Sequence, residues 1–196
     1  MAPFCPTPAA QNLATQLGVP CHASLQELLL KDRPDGVIVA TPNDMHVPQA
    51  LACIEAGVPV LIFVGTTGLG AGLPGGNGIL LDSCHPRHLD MVAARNPQLR
   101  IVAARPGWPW QAETIAVLMH KRNIWYELHG WSPKYFTPDL KHDISRRLQD
   151  RIMFGGDYPL YTYERLTSEW RHEGYSEAVL SKVFHQNAER FLAEAN

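Results

Sequence analysis

The chain has 196 residues, a formal charge of -2, 45% hydrophobic residues and 18% charged ones. That length buries a substantial core and suits one domain, or a compact domain with an appendage. The near-neutral charge offers no basic field for nucleic acid and no polybasic patch for a membrane surface. No segment approaches the roughly 20 apolar residues of a membrane span, and the N-terminus lacks the charged and apolar regions of a leader. Cys5, Cys21, Cys53 and Cys84 have neither disulfide-framework nor zinc-site spacing. A cytosolic protein with free thiols is expected.

In chain order, residues 1–7 are proline-rich and irregular, and Ala9 to Leu17 carries a helical pattern stopped by Gly18. Ser24-Leu-Gln-Glu27 is a capping-box match that opens a short helix to Leu30. The run Gly36 to Ala40, rich in β-branched residues, predicts a strand buried on both faces, with a weaker strand near Val19 to His22. Thr41-Pro-Asn-Asp-Met-His46 forms the loop beyond that strand, and Val47 to Ala56 a helix ended by Gly57. Either Asn43 and His46 line a ligand crevice there, or Asn43 or Asp44 caps the helix.

Val58 to Phe63 is the next strand, and its exit holds seven glycines between residues 65 and 78. Such a loop cradles an anion, folds as a lid over a strand-end pocket, or carries no ligand at all. It is not a Walker motif, because no Gly-Lys-Ser/Thr follows. His85 and His88, spaced H-x-x-H at a helix start without a firmly placed acid, read as surface or capping groups rather than metal ligands. The strand Arg100 to Ala104 leads to Arg105 and the turn Pro106-Gly-Trp-Pro-Trp110. Its guanidinium is either a carboxylate-binding fork between indoles or a cation stacked on Trp108 for packing.

Gln111 to His120 is an amphipathic helix, and Asn123 to Leu128 a strand with Glu127 and His129 straddling its end. His129 leaves on the rim where α/β proteins keep their chemistry, and it suits proton transfer. In the next loop Lys134 and Tyr135 are placed to orient an anionic substrate. Pro138 to Leu148 reads as a helix and Arg151 to Phe154 as the last strand. Gly155-Gly-Asp157-Tyr-Pro then holds the Asp157 carboxylate at the strand's mouth, where α/β proteins keep their chemistry, or as a cap of the following turn or helix. Tyr163 to His172, Ser176 to Phe184 and Asn187 to Ala195 form a helical tail over the sheet.

Five stretches together carry a family resemblance: Pro59 to Gly72, Ile101 to Trp110, Gly130 to Phe136, Asp157-Tyr-Pro, and Asn187 to Phe191. Over residues 59–196 they resemble the amidohydrolase-related family of (β/α)8 metal hydrolases and decarboxylases. The resemblance implies Asp157 as a ligand of a divalent metal, zinc or manganese. It also implies hydrolysis or decarboxylation of a small cyclic or aromatic acid. Phe63 takes the place of the mid-barrel His and Arg105 that of the later His, and the first-strand ligand pair has no counterpart. If activity survives these losses, Asp157 and His129 are the catalytic candidates, with Arg105, Trp108 and Lys134 for a substrate carboxylate.

Residues 8–62 carry a second resemblance, through Asp35-Gly-Val-Ile-Val-Ala-Thr41-Pro42-Asn43 and Cys53-Ile-Glu-Ala-Gly-Val-Pro, to the glucose-fructose oxidoreductase/inositol dehydrogenase family. It implies that Thr41 and Asn43 touch a nicotinamide cofactor. The glycine fingerprint is absent, however, and Phe63-Val64-Gly65 replaces the Glu-Lys-Pro motif, so NAD is not an expected ligand. The chain thus divides into a partial Rossmann-like segment, residues 1–58, and the C-terminal half of an amidohydrolase-like barrel, residues 59–196. A fragment of a nicotinamide-dependent oxidoreductase and a non-enzymatic fusion or truncation product are the other readings. Five or six parallel strands fall short of the eight of a closed barrel. The fold expected is therefore α/β, an open or partly rolled parallel sheet covered by helices, with a helical C-terminal tail and edges that a homodimer would complete.

Overall fold

The computed structural model describes residues 7–39, 43–66 and 80–193. The chain forms two compact units, Met1–Leu61 and Ile62–Asn196. Its strands, β1 (Val37–Ile38), β2 (Val60–Phe63), β3 (Ile101–Ala104), β4 (Ile124–Glu127) and β5 (Ile152–Met153), lie in the sheet in their sequence order, the parallel α/β arrangement expected. Among the described residues no helix is long and apolar enough to cross a membrane.

The first unit contains α1 (Pro8–Leu17), α2 (Leu25–Lys31), β1 (Val37–Ile38), α3 (Asn43–Glu55) and the start of β2 (Val60–Phe63). Helix α1 begins where Thr7 Oγ1 accepts from the Ala10 N–H, and it ends at Gly18, whose φ of 65° suits a residue without Cβ. Ser24 caps α2 by accepting from the Glu27 N–H, while the Glu27 carboxylate accepts from the Ala23 N–H at 2.8 Å.

Three expectations for this unit need correction. The strand read as Gly36 to Ala40 is a ladder of two residues, Val37 and Ile38, opposite Val60 and Leu61. Ile38 is 66% exposed, so this strand, at the edge of the sheet, is not covered on both faces. Asn43 to His46, read as loop, already belong to α3; the N–H groups of a first helical turn need no partner four residues back, so a helix opens ahead of its apolar stripe. The weak strand near Val19 to His22 is a single bridge at His22, whose Nε2 lies 2.7 Å from Asp32 Oδ2. Thr41 and residues 67–79 of the glycine run lie outside the described residues.

In the second unit, the Val64 N–H donates to the Ala104 carbonyl at 3.0 Å. Strand β3 (Ile101–Ala104) pairs in parallel with β4 (Ile124–Glu127), and β4 with β5 (Ile152–Met153). Every residue of these three strands is buried, as strands covered on both faces require. Helices α4 (Arg87–Arg95), α5 (Gln111–His120), α6 (Pro138–Ile144), α7 (Tyr163–His172), α8 (Glu177–Ser181) and α9 (Asn187–Ala193) surround them. Leu118, Leu140, Ile144, Leu166, Trp170 and Leu180 are among their buried residues.

Helix α5 has the predicted bounds. Helix α6 stops four residues short of Leu148 and passes into turns, where the buried Asp143 carboxylate takes two hydrogen bonds from Arg147 at 2.6 and 2.7 Å. In the tail, a π-helical segment, Lys182–Gln186, joins α8 to α9. Asn187 Nδ2 donates to the carbonyls of Gln149 and Ile152 at 2.9 and 2.7 Å, which fastens α9 to the start of β5.

Candidate active site

The exits of β2 to β5 converge on one cluster of side chains within the second unit. Arg105 follows β3 in a left-handed conformation, φ 74°, and Asp157 follows β5 in another, φ 61°. Both are uncommon for residues with a Cβ, which marks these exits as shaped by something other than backbone ease. Arg105 Nη2 donates to Asp157 Oδ2 at 3.3 Å, with the two side chains 21% and 26% exposed. Asp157 closes the next turn with its carbonyl, which accepts from the Leu160 N–H at 3.0 Å. Its carboxylate therefore serves Arg105 and not a helix or turn cap.

The Arg105 guanidinium carbon lies 5.5 Å from the centre of the Phe63 ring, so the aromatic surface beneath it is Phe63 and not Trp108. The same ring meets the His129 imidazole edge to face, with centroids 5.4 Å apart and an interplanar angle of 81°. His129 Nδ1 is hydrogen-bonded to Glu127 Oε2. That contact occupies Nδ1 and leaves Nε2 as the ring nitrogen not engaged by Glu127. Glu127 Oε1 and Arg105 Nε are both buried without a hydrogen-bond partner.

Glycines make this packing feasible. A Cβ on Gly155 would fall 1.5 Å from Glu127 Oε1, and one on Gly130, φ 76°, would fall 2.9 Å from Asp157 Oδ2. The Gly155-Gly-Asp157 and His129-Gly130 stretches thus bring backbone up to charged side chains where any larger residue would push them apart.

Of the predicted site residues, the structure brings together Arg105, Asp157 and, through Phe63, His129. Trp108 is half exposed and faces Trp131 at 6.3 Å, and Lys134 Nζ lies 4.8 Å over the Tyr135 ring. Asn43 is the first residue of α3. His85, read as a surface or capping group, takes the capping role: its Nδ1 accepts from the Arg87 N–H at 3.3 Å at the start of α4, while its side chain is only 13% exposed, with Nε2 3.4 Å from Glu113 Oε2 and its ring 4.5 Å from Trp110. Burial pushes the Cys53 and Cys84 thiols up, so neither is a thiolate nucleophile at neutral pH. Tyr126 donates its hydroxyl to the Pro106 carbonyl at 2.7 Å, and burial pushes that phenol up as well; it is a strut.

Sequence reasoning missed Glu127 as the partner of His129. The signal was present: residues two apart on a strand face the same side. It also missed the aromatic wall beyond Asp157, where Tyr158 and Tyr163 stack with centroids 6.4 Å apart.

The donors at this rim do not suit a divalent metal. Among the described residues no three His, Cys, Asp or Glu side chains group to hold one. Phe63 contributes no lone pair, and Asp157 already faces the Arg105 guanidinium.

A parallel β/α sheet with charged groups gathered at the C-terminal strand ends defines an α/β protein of the β/α-barrel kind. More specifically, residues 34–193 match the amidohydrolase family, and the chain belongs to it. The match starts well ahead of residue 59 and takes in most of the segment on which the nucleotide-binding resemblance rested; nothing in the comparisons points to that second family. No curated protein matches. An uncharacterised TIM-barrel protein from Bordetella bronchiseptica shares 23% identity over 99% of this chain and 66% of its own, with a TM-score of 0.60. The 5-carboxyvanillate decarboxylase of Sphingomonas paucimobilis shares 16% over 93% of this chain and 69% of its own, TM-score 0.59. A dihydroxybenzoic acid decarboxylase from Polaromonas, solved with manganese and the inhibitor 2-nitroresorcinol, shares 13% over 94% and 73%, TM-score 0.56. This chain therefore spans about two thirds of the length of the first of these structures, and at such identities the likeness is one of fold.

Proposed function

We propose that this chain is a hydrolase or decarboxylase acting on a small cyclic or aromatic carboxylate, with residues 59–196 as the C-terminal half of an amidohydrolase-like barrel. The observation that carries this reading is the convergence of Arg105–Asp157 and Glu127–His129 at the exits of three adjacent strands. Arg105 takes the substrate carboxylate. His129, held by Glu127, moves a proton through Nε2, and Asp157 is the second acid–base group. In decarboxylation the bond from ring carbon to carboxyl carbon breaks, carbon dioxide leaves, and a proton is delivered to that carbon. In hydrolysis a base takes the proton of the attacking water. The manganese of the Polaromonas decarboxylase has no donor set among the described residues here, so no step is assigned to a metal. Residues 1–58 are proposed as a scaffold segment rather than a dinucleotide site, and the open sheet edges favour a homodimer.

The test is turnover on a panel of hydroxylated benzoates and cyclic carboxylic esters, followed by carbon dioxide release and by acid production. His129→Ala is expected to lower kcat about 100-fold or more, the usual worth of positioned proton transfer. Turnover equal in the wild type and in both His129→Ala and Asp157→Asn would rule these roles out.

A further inference from the structure

We propose that the Arg105 guanidinium is the resident cation of this site and that Asp157 is its internal competitor, so that an incoming carboxylate binds without metal by displacing Asp157. The inference rests on reading this rim as the ligand site, but not on turnover. A metal needs several convergent lone pairs. Here the positions that resemble metal-binding ones hold a phenyl ring, Phe63, and a guanidinium, and the remaining acid is turned to that guanidinium.

The resting pair is also weakly engaged. Arg105 and Asp157 share one contact at 3.3 Å, whereas charge-assisted N–H···O bonds run to about 2.7–2.9 Å and Arg–carboxylate pairs are often bidentate. Arg105 Nε is buried and has no partner at all, so the fork is half used. The Phe63 ring lies under the guanidinium carbon at 5.5 Å, and Gly130, lacking a Cβ, leaves room beside both groups: a Cβ there would fall 2.9 Å from Asp157 Oδ2 and 3.4 Å from the Arg105 guanidinium carbon. A free carboxylate offers two oxygens to the same fork in exchange for one long contact. It gains more hydrogen bonding than it displaces.

This arrangement makes a prediction opposite in sign to a metal site. Removing the charge of Asp157 frees Arg105 and tightens carboxylate binding; in a metal site the same change removes a ligand and weakens it. The experiment is calorimetric titration of benzoate into the full chain after exhaustive dialysis against a chelator, with and without added manganese. Wild type is expected to bind benzoate equally in both conditions. Asp157→Asn should bind about three- to tenfold more tightly, the span set by a partly exposed ion pair. Arg105→Gln should weaken binding at least about tenfold, and Arg105→Lys, which keeps the charge but not the fork, should fall between. Circular dichroism of each variant separates lost binding from lost fold. Weaker binding by Asp157→Asn, a requirement for manganese, binding indifferent to Arg105→Gln in a folded variant, or no binding by either wild type or Asp157→Asn would each overturn the proposal. Benzoate binding without turnover on the panel would leave it standing while the assigned reaction fails.

Discussion

The two ends of strands β3, β4 and β5 use polar side chains in opposite ways. At the N-terminal ends they are tied to backbone. Asn123 Nδ2 reaches the carbonyls of Ala93, Asn96 and Leu99 at 3.3, 3.1 and 2.9 Å, and Arg151 Nη1 those of Lys121 and Ile124 at 2.7 and 3.3 Å. Asn187 does the same beneath β5. At the C-terminal ends polar groups face one another: Arg105 with Asp157, His129 with Glu127. Two buried atoms there lack partners, and Arg105 and Asp157 have left-handed backbones. Each such feature costs about 1–3 kcal/mol, so one end of the sheet holds the fold and the other is maintained against it. That asymmetry is the one expected of β/α enzymes.

The largest effect that would break this comparison lies at the N-terminal ends. Asn187→Ala strips donors from two backbone carbonyls at a site 2% exposed, and a loss of about 2–3 kcal/mol is expected in urea unfolding. Benzoate affinity should stay unchanged, because nothing at the rim touches Asn187. A loss below about 0.5 kcal/mol would remove the distinction between the two ends. Next in size is Gly155→Ala, whose Cβ would collide with Glu127 and His129. Overpacking of this kind costs about 1–3 kcal/mol, and it should also detach Glu127 from His129, which a nitrogen-15 spectrum of the imidazole would report as a changed tautomer balance. An unaltered imidazole signal would show that the pair tolerates a wider strand exit.

How much of this was legible beforehand follows from the distance over which each feature is determined. Helix α5, the cap at Ser24 and the stop at Gly18 depend on neighbours within four residues, and the sequence places them well, whereas the cap at Thr7 was not read. The parallel sheet follows from apolar runs alternating with helical patterns. Glu127 with His129 needed only the two-residue period of a strand. The Arg105–Asp157 pair, 52 residues apart, depends on β3 and β5 flanking β4, which no local pattern states. The exposure of Ile38 was misjudged for a related reason, since burial of a strand's faces depends on the elements packed over them and no local pattern states those.

The smallest expected effect sharpens the comparison by asking whether charge pairs at the N-terminal ends matter as much as hydrogen bonds to backbone there. Asp90 Oδ1 lies 2.7 Å from Lys121 Nζ and 3.6 Å from His120 Nδ1. The Lys121 hydrogen bond is the main cause that holds the Asp90 carboxyl below its usual 3.8, opposed in part by desolvation and helped by the charges of Lys121 and His120. A carboxyl lowered in the folded state stabilises the fold above its unfolded value, and this contribution disappears as pH falls through the folded value. Since the Asp90 side chain is 46% exposed, solvent screening limits it to a few tenths of a kcal/mol. Asp90→Asn should therefore lower the urea midpoint slightly at neutral pH, less in high salt, and not at all once acid has protonated the wild-type carboxyl in the folded state. A gap that persists at that acidity would mean that shape or hydrogen bonding, and not charge, is what Asp90 contributes. Charge would then be structurally minor at this end of the strands, and the charged groups of consequence would be confined to the rim around Arg105.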